Sequence, residues 1–305
     1  MIAIGGLFYN AAEFLDTYFK MLLIQDYPKR KIRLIWLYGE GDDETLRLLK
    51  QFGEKHGRDY AEFTLFQINR IPGDMTGTEG GKIAQENIVK AYTHLVELSR
   101  PDDLIIMEQD IDAPPHAIRR LIELRDDGAG IAGGLCLVTG AELKVKAKNG
   151  GIFRVGGLPS VSSYVLDQKR ELQPISRQAE KFNCTRMPKE LLSREMYVDA
   201  IATGLSLLTR KVLDDIPFET SHKRTQDLHF CIRAREKGYR IICDTGLWYE
   251  HLHYKYRREI LSDGSLFITL LDSLKLDGIT FEATMPNQLE SSAHYLIELE
   301  RGGEK

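Results

Sequence analysis

Three acidic residues follow an apolar run near the middle of the chain, and carboxylates in such a position could bind a metal ion. Residues 104–107 are apolar, and Glu108, Asp110 and Asp112 come next. Side chains alternate along an extended strand, so Asp110 and Asp112 would face one side if the strand continues that far. Two carboxylates there suit a hard divalent cation. The structural alternative is that Asp112, which precedes Ala-Pro-Pro, caps the next helix.

A second candidate group is a pair of histidines at the end of a late predicted strand. His251 and His253 lie two residues apart and could share one face. Neutral imidazole is a common metal ligand. A histidine with no other ligand nearby is more commonly a packed or surface residue. The pair therefore indicates a metal site only if other ligands lie close to it.

A third candidate is Asp227, in the first turn of a predicted helix over residues 225–237. Leu228, Cys231 and Ile232 form the apolar face of that helix. An acid in a first helical turn interacts favourably with the helix dipole, which is the structural interpretation. The functional interpretation is a general base that faces the open end of a sheet.

A glycine-rich loop precedes another predicted helix but does not match a P-loop. Thr76 stands where the first glycine of that motif belongs, and Ile83 stands where Ser or Thr should bind magnesium. A glycine loop ahead of a helix can still hold an anion, and Lys82 could reach a phosphate there.

Strands and helices alternate through the first half of the chain. Strands are predicted at 2–9, 32–38, 63–68, 104–108 and 129–138, and helices at 11–24, after 42–44, at 82–98 and after 114–115. This alternation is typical of a mostly parallel sheet with helices on both faces. Ligands of such sheets bind beyond the carboxyl ends of the strands, where the candidate acids fall.

The pattern changes between residues 142 and 193, which are polar and rich in glycine and proline. Within it, residues 169–194 hold seven basic and three acidic residues. The segment is either a solvated surface excursion or a lid that binds a negatively charged group. Regular structure is predicted again at 198–208, 239–243 and 247–249, and the tail from residue 257 is predicted to be helical.

Composition excludes several classes of protein. The 305 residues carry a formal net charge of −4, with 43% hydrophobic residues, which argues against disorder and against nucleic-acid binding by bulk charge. No apolar run is long enough to span a membrane, and the first residues do not predict a signal peptide. Four scattered cysteines suit a reducing compartment, so a soluble, cytoplasmic protein is expected.

Taken together, the motifs resemble those of nucleotide-sugar glycosyltransferases of the GT-A fold, of the family 2 kind. The resemblance runs from about residue 2 to residue 253. The matching motifs are Tyr9-Asn10 after the first strand, Gly39-Glu40-Gly41-Asp42-Asp43 after the second, Lys82 and Asn87 on a helix, Asp110-Ile111-Asp112, Ala202-Thr203-Gly204, Gln226-Asp227 and His251. Gln226 departs from the glutamate usual in the family, and His229 departs from a usual second aspartate.

The resemblance implies an α/β chain of GT-A type, Rossmann-like, with a mostly parallel sheet and a C-terminal helical appendage. Residues 1–253 would form the glycosyltransferase domain, with a nucleotide-sugar-binding half at 1–140. An acceptor-side half at 141–253 would include the loop or lid region at 142–193. Residues 254–305 would form the helical extension.

The same resemblance implies a metal-dependent sugar transfer from a UDP- or GDP-sugar to an acceptor hydroxyl. Asp110, Asp112 and His251 would bind Mn²⁺ or Mg²⁺, with His253 as the second choice for the histidine ligand. Asp227 would act as the base, which predicts inversion at the anomeric carbon. The residues implied in donor binding are Tyr9, Glu40, Lys82, Asn87 and Asp110.

Three alternatives remain open at this point: a retaining GT-A enzyme, a non-catalytic nucleotide-sugar-binding module and a sugar nucleotidyltransferase. The acceptor could be a small molecule, a glycan or a lipid-linked molecule. Contact with a membrane surface is also left open, and no nucleic-acid partner is expected.

Overall fold

A computed structural model describes residues 1–68, 78–139, 143–146, 152–155, 159–178, 184–221, 224–253 and 255–271. The chain divides into two compact units. The first contains residues 1–136, 163–173 and 193–252. The described residues of 137–162, 174–192 and 253–271 belong to the second. The predicted domain limits at 140 and 253 stay predictions.

The chain forms many short strands and a smaller set of helices. The described strands are β1 (Ile2–Phe8), β2 (Ile32–Gly39), β3 (Glu62–Ile68), β4 (Asp103–Met107), β5 (Ile111–Asp112), β6 (Ile131–Leu135), β7 (Leu137–Thr139), β8 (Leu143–Lys146), β9 (Ile152–Val155), β10 (Pro159–Val161), β11 (Ser163–Leu166), β12 (Leu172–Pro174), β13 (Arg177–Gln178), β14 (Cys184–Met187), β15 (Glu195–Tyr197), β16 (Ala200–Ile201), β17 (Leu205–Leu208), β18 (Ile241–Trp248), β19 (Glu250–His251), β20 (Tyr256–Ile260) and β21 (Leu266–Leu270). The described α-helices are α1 (Ala12–Leu23), α2 (Thr45–His56), α3 (Thr78–Leu98), α4 (Ala117–Asp126), α5 (Arg210–Asp215) and α6 (Gln226–Glu236). Short 3-10 turns lie at Lys29–Lys31, Gly57–Asp59 and Lys189–Leu191.

The first unit is built on an eight-stranded sheet in the order β15-β18-β6-β17-β4-β1-β2-β3. Strands β15 and β17 run antiparallel to their neighbours, and the other six strands run in one direction. The prediction of a mostly parallel sheet is therefore confirmed. The inner strands are buried almost throughout, as expected when both faces of a sheet are covered.

Two adjacent glycines show that helices cover both faces of this sheet. A Cβ on Gly5 would meet Leu95 of α3, whereas a Cβ on Gly6 would lie 3.3 Å from the Tyr18 hydroxyl of α1. Successive residues of a strand point to opposite faces, so α1 and α3 pack on opposite sides of β1. On the α1 side, Tyr18 belongs to an aromatic cluster around the fully buried Trp36.

The order of the strands places a crevice beside β1. Strand β1 pairs with β2 on one side and with β4 on the other, both in parallel. After β1 the chain continues to β2 on one side of the sheet order, whereas after β4 it continues to β6 on the other side. This switch in strand order is where ligands bind in open α/β sheets.

The second unit consists mainly of antiparallel strands. Its largest sheet has the order β13-β14-β21-β20, and the pairs β7–β10 and β8–β9 are also antiparallel. The predicted loop region at 142–193 thus contains short strands wherever it is described. Whether it acts as a lid stays a prediction.

The predicted C-terminal helix is wrong for the described part of the tail. Residues 255–271 form the β20–β21 hairpin, and residues 272–305 lie outside the described residues. Leu266, Ile268 and Leu270 are buried in alternation, which is a strand period. The reversal is made at Gly264, whose φ of 83° favours glycine. In the part of the chain that is described, no helix is long and apolar enough to cross a bilayer.

Candidate active site

The chain turns immediately after β4, and this turn decides which acids meet. Strand β4 ends at Met107, and Ile111 N–H donates to the Glu108 carbonyl at 3.4 Å. The extended geometry expected through Asp112 is therefore interrupted at Gln109 and Asp110. The alternation that would place Asp110 and Asp112 on one side does not apply across this turn.

A short strand pair brings His251 to these acids. In the β5–β19 register, His251 lies opposite Ile111 and Glu250 lies opposite Asp112. Leu252 N–H donates to the Asp110 carbonyl at 2.8 Å, which fixes the two segments together. As a result, His251 Nδ1 lies 3.6 Å from Asp110 Oδ2.

Glu108, Asp110 and His251 form a group that could hold a metal ion. Each offers one ligand atom, and these atoms all lie within 4.8 Å of one another. Asp110 is only 7% exposed. Two carboxylates and one imidazole fit a divalent cation that accepts both oxygen and nitrogen ligands, such as Mn²⁺. The structure thus brings together the predicted residues Asp110 and His251.

The third member of the group is Glu108, where Asp112 was predicted. Asp112 is half-buried in β5, and burial, with a smaller effect of the nearby Glu250 carboxylate, raises its pKa. The alternative ligand His253 is exposed, belongs to the second unit and is not a member of the group. The ligand roles of Asp112 and His253 are therefore unsupported by this grouping.

Glu108 is held by contacts that the sequence did not reveal. Its backbone N–H donates to the Gly204 carbonyl at 2.9 Å, next to the start of β17. Its Oε1 accepts a 3.0 Å hydrogen bond from the Tyr92 hydroxyl of α3. A Cβ added to Gly204 would lie 3.4 Å from Glu108 Oε2, so a small residue leaves room for this carboxylate.

Asp227 lies buried in the first turn of α6, as predicted. Its Oδ1 accepts from Leu228 N–H at 2.8 Å and its Oδ2 accepts from Thr203 N–H at 3.3 Å. Burial raises its pKa, and hydrogen bonds from neighbours including Thr225 oppose that rise. A buried carboxylate with a raised pKa is a better proton acceptor than an exposed one, which suits a general base.

The predicted donor residues Tyr9 and Glu40 follow β1 and β2. Tyr9 N–H donates to Gln109 Oε1 at 2.8 Å, and Gln109 Nε2 donates to the Tyr9 carbonyl at 3.2 Å. This pair of bonds joins the ends of β1 and β4 at the crevice. Glu40 is exposed directly after β2.

The predicted donor residues Lys82 and Asn87 belong to α3. Asn87 is half-buried on this helix, and the side chain of Lys82 lies outside the described residues. The donor contacts of both residues, and of Tyr9 and Glu40, stay predictions.

From the sequence, Glu108 was named among the three acids after the apolar run but the ligand role was assigned to Asp112, and no role was assigned to Gln109 or Tyr92. Glu108 carried a signal, because it is the first residue after an apolar strand and is followed by turn-prone residues. Tyr92 carried none, since a tyrosine on an apolar helix face looks like an ordinary core residue.

Comparisons with known proteins show the fold. No protein-family model and no curated protein sequence matches the chain. Among solved structures, it is similar to GalNAc-T7 with UDP, GalNAc and Mn²⁺, with a TM-score of 0.55 and 10% identity over 82% of this chain and 43% of that one.

Two further structures match with lower scores. The mannosyltransferase PcManGT from Pyrobaculum calidifontis, in complex with GDP-Man and Mn²⁺, has a TM-score of 0.49 and 14% identity, over 82% of this chain and 56% of that one. S. aureus TarS 1-349 in complex with UDP has a TM-score of 0.48 and 15% identity, over 82% of this chain and 59% of that one. The chain therefore spans less than two thirds of the length of each of these three structures.

The similarity to GalNAc-T7 confirms the expected α/β fold of GT-A type. At 10% identity the likeness concerns the fold alone. What the chain does must be argued from its own site.

Proposed function

We propose that the chain is a metal-dependent glycosyltransferase that moves a sugar from a UDP- or GDP-sugar to an acceptor hydroxyl. One observation carries the proposal. The metal-ligating group and the buried Asp227 carboxylate, whose pKa is raised, are both bonded to the same short segment of backbone. Thr203 N–H donates to Asp227, and the carbonyl of the next residue, Gly204, accepts from Glu108 N–H. Structures similar to this chain are complexes with UDP, GDP-Man and Mn²⁺, which supports the same chemistry.

Glu108, Asp110 and His251 would hold Mn²⁺ or Mg²⁺. The bound cation would offset the negative charge that develops on a diphosphate leaving group. The chain supplies two carboxylates close together for this purpose, and a bound cation would offset the repulsion between negative charges there. The strand pair β5–β19 fixes the spacing of Asp110 and His251 before any ligand arrives.

Asp227 would act as the general base. It takes the proton of the acceptor hydroxyl while that oxygen bonds to the anomeric carbon and the bond from this carbon to the diphosphate oxygen breaks. Attack from the face opposite the leaving group inverts the configuration. The N–H groups of Leu228 and Thr203 hold the carboxylate in one orientation during this step.

Donor recognition would fall to the loops at the carboxyl ends of β1 and β2 and to α3. Tyr9, Glu40, Lys82 and Asn87 are the proposed contacts, with Asp110 near the diphosphate. The basic stretch 169–194 is the proposed contact for an anionic or membrane-surface acceptor. The acceptor would be a small molecule, a glycan or a lipid-linked molecule, and the protein would act in the cytoplasm or at the membrane surface.

The experiment is a donor assay on the purified chain. Thermal shifts against UDP- and GDP-sugars with Mn²⁺ identify a donor, because a ligand that binds the native state raises apparent stability. The chain is then incubated with that donor, Mn²⁺ and candidate acceptors, and released nucleoside diphosphate is measured. Asp227→Asn should bind the same donor and release far less product.

Other outcomes would point to the alternatives. A donor that binds without any turnover, including slow hydrolysis, indicates a binding module, for which Gln226 beside Asp227 is the supporting feature. The anomeric configuration of the product, read by NMR, separates inversion from retention. Pyrophosphate release in place of nucleoside diphosphate would indicate a nucleotidyltransferase.

A further inference from the structure

The tyrosine of α3 that bonds Glu108 lies between the two halves of the site. Tyr92 is 2% exposed, and its ring centroid lies 5.0 Å from that of Phe218. Phe218 in turn stacks on Phe230 of α6 at 4.3 Å. The aromatic ring is therefore fixed between the helix that carries it and the helix that carries Asp227.

The hydroxyl of Tyr92 bonds one acid of the site and lies within the electrostatic influence of a second. It donates to Glu108 Oε1 at 3.0 Å, and its environment includes Thr203 and the Asp227 carboxylate.

Glu108 needs such a contact more than Asp110 does. A glutamate has one more rotatable bond than an aspartate, so its carboxylate samples more positions unless something holds it. A buried hydrogen bond from a fixed ring removes this freedom, and partners of this kind orient metal ligands in proteins generally.

We propose that Tyr92 is a positioning residue that orients the Glu108 carboxylate for metal binding and ties this carboxylate to the Asp227 side of the site. The inference rests on the proposed function, because it requires the metal group. It goes beyond that function by assigning a role to a residue that touches neither metal nor substrate.

The test measures Mn²⁺ binding to the full chain in the absence of turnover. The EPR signal of free Mn²⁺ reports how much metal remains unbound. Tyr92→Phe removes the hydroxyl and keeps the ring, and it should weaken Mn²⁺ binding about 10-fold. Tyr18→Phe is the matched control, since Tyr18 is also buried but lies on α1, in the aromatic cluster on the opposite face of the sheet from α3. This control should bind Mn²⁺ as the parent chain does.

A second variant shows whether Tyr92 acts through Glu108. Glu108→Asp keeps the charge but shortens the side chain, so the bond from Tyr92 is lost and Tyr92→Phe should have little further effect in that background. Equal Mn²⁺ affinity of Tyr92→Phe and the parent chain overturns the inference, as does a full Tyr92→Phe effect in the Glu108→Asp background. A parent chain that binds no Mn²⁺ overturns the proposed metal site itself.

Discussion

The two ends of β4 use the same kinds of residue for opposite purposes. At the amino end, Asp102 pairs with Arg33 at 2.9 Å and Asp103 pairs with Arg125 at 3.0 Å. At the carboxyl end, Glu108 accepts from a neutral hydroxyl and Asp110 lies beside a histidine. Carboxylates matched by guanidinium groups stabilise a fold, whereas carboxylates gathered together favour a cation.

The pKa values of nearby acids reflect this contrast. At the amino end, the hydrogen bond from Arg33 lowers the pKa of Glu62. At the carboxyl end, burial raises the pKa of Asp227. Glu62 is therefore held as an ion by Arg33, whereas Asp227 remains ready to accept a proton. Substitutions at the two ends should separate stability from activity.

The largest effect is expected at Asp227. Asp227→Asn should lower kcat/KM for sugar transfer by about 10²–10⁴-fold, the range for loss of a general base. The melting temperature should change little, because the amide oxygen can still accept one of the two backbone bonds. Transfer assays at saturating Mn²⁺ and a thermal melt measure both. Near-full activity of this variant would remove Asp227 from the mechanism.

The second expectation concerns metal affinity and compares two acids of the same stretch. Glu108→Gln should weaken Mn²⁺ binding by about 100-fold or more, because a ligand effect should exceed that of a supporting residue. Asp112→Asn should leave the affinity within a few-fold, because Asp112 is not in the ligand group. Calorimetric titration with Mn²⁺ measures the affinity of both variants. A larger loss of affinity in Asp112→Asn than in Glu108→Gln would restore Asp112 as the ligand.

The third expectation concerns stability at the amino end. Arg33 is 15% exposed and bonds Glu62, Asp102 and three backbone carbonyls at the end of α3. Arg33→Ala should lower the free energy of unfolding by about 2–3 kcal/mol, since it removes the guanidinium bond of the buried Asp102 carboxylate, which keeps only the N-terminal ammonium as a charged partner among the described residues. Transfer activity per folded molecule should be unchanged. Urea unfolding measures the first quantity.

The matched control for that variant is Arg119→Ala. Arg119 is 52% exposed and pairs with the exposed Asp26. Surface pairs of this kind contribute at most about 1 kcal/mol. If both variants lose equal stability, the amino end of β4 has no special structural role.

The fourth expectation concerns pH. Because burial raises the pKa of Asp227, its ionised form is lost at a pH above the ordinary value of 3.8. Activity should therefore fall on the acid side before an exposed aspartate would be protonated. A kcat/KM profile against pH shows this limb, and the residual activity of Asp227→Asn should lack it.

The smallest effect is expected at Gly204. A Cβ there would approach Ile111 Cδ1 at 3.3 Å and Glu108 Oε2 at 3.4 Å, so Gly204→Ala should displace the carboxylate only slightly. Mn²⁺ affinity should fall about 2–5-fold, less than for a supporting residue. An increase in affinity would mean that Glu108 is not held against this position.

Most strands of the central sheet were predictable because their apolar runs are short and separated by amphipathic helices. The edge strand β15 was not predicted, since Glu195–Tyr197 has no apolar run. Asp110, Asp227 and His251 followed from their positions at the ends of such elements. Glu108 did not, because the turn at Gln109 and Asp110 is set by a hydrogen bond between backbone atoms and by pairing with a strand 140 residues later.

Two other differences have physical reasons. Strands were predicted at 239–243 and 247–249, yet a single strand, β18, runs through residues 241–248, and its register against β6 shifts between Cys243 and Trp248. The Arg120 guanidinium bonds the Asp244 carboxylate, which makes an acid tolerable inside a strand. In the tail, a helix was predicted although residues 266–270 alternate between buried and half-buried positions. Their pairing with β20 makes this segment a strand.

The bonds between Gln109 and the backbone of Tyr9 have a consequence for redesign. The amide bonds the main-chain N–H and carbonyl of residue 9, so these two bonds can form with any side chain at that position except proline. Position 9 can therefore be varied to search for new donor preferences without removing this link between the ends of β1 and β4, provided that Gln109 is retained.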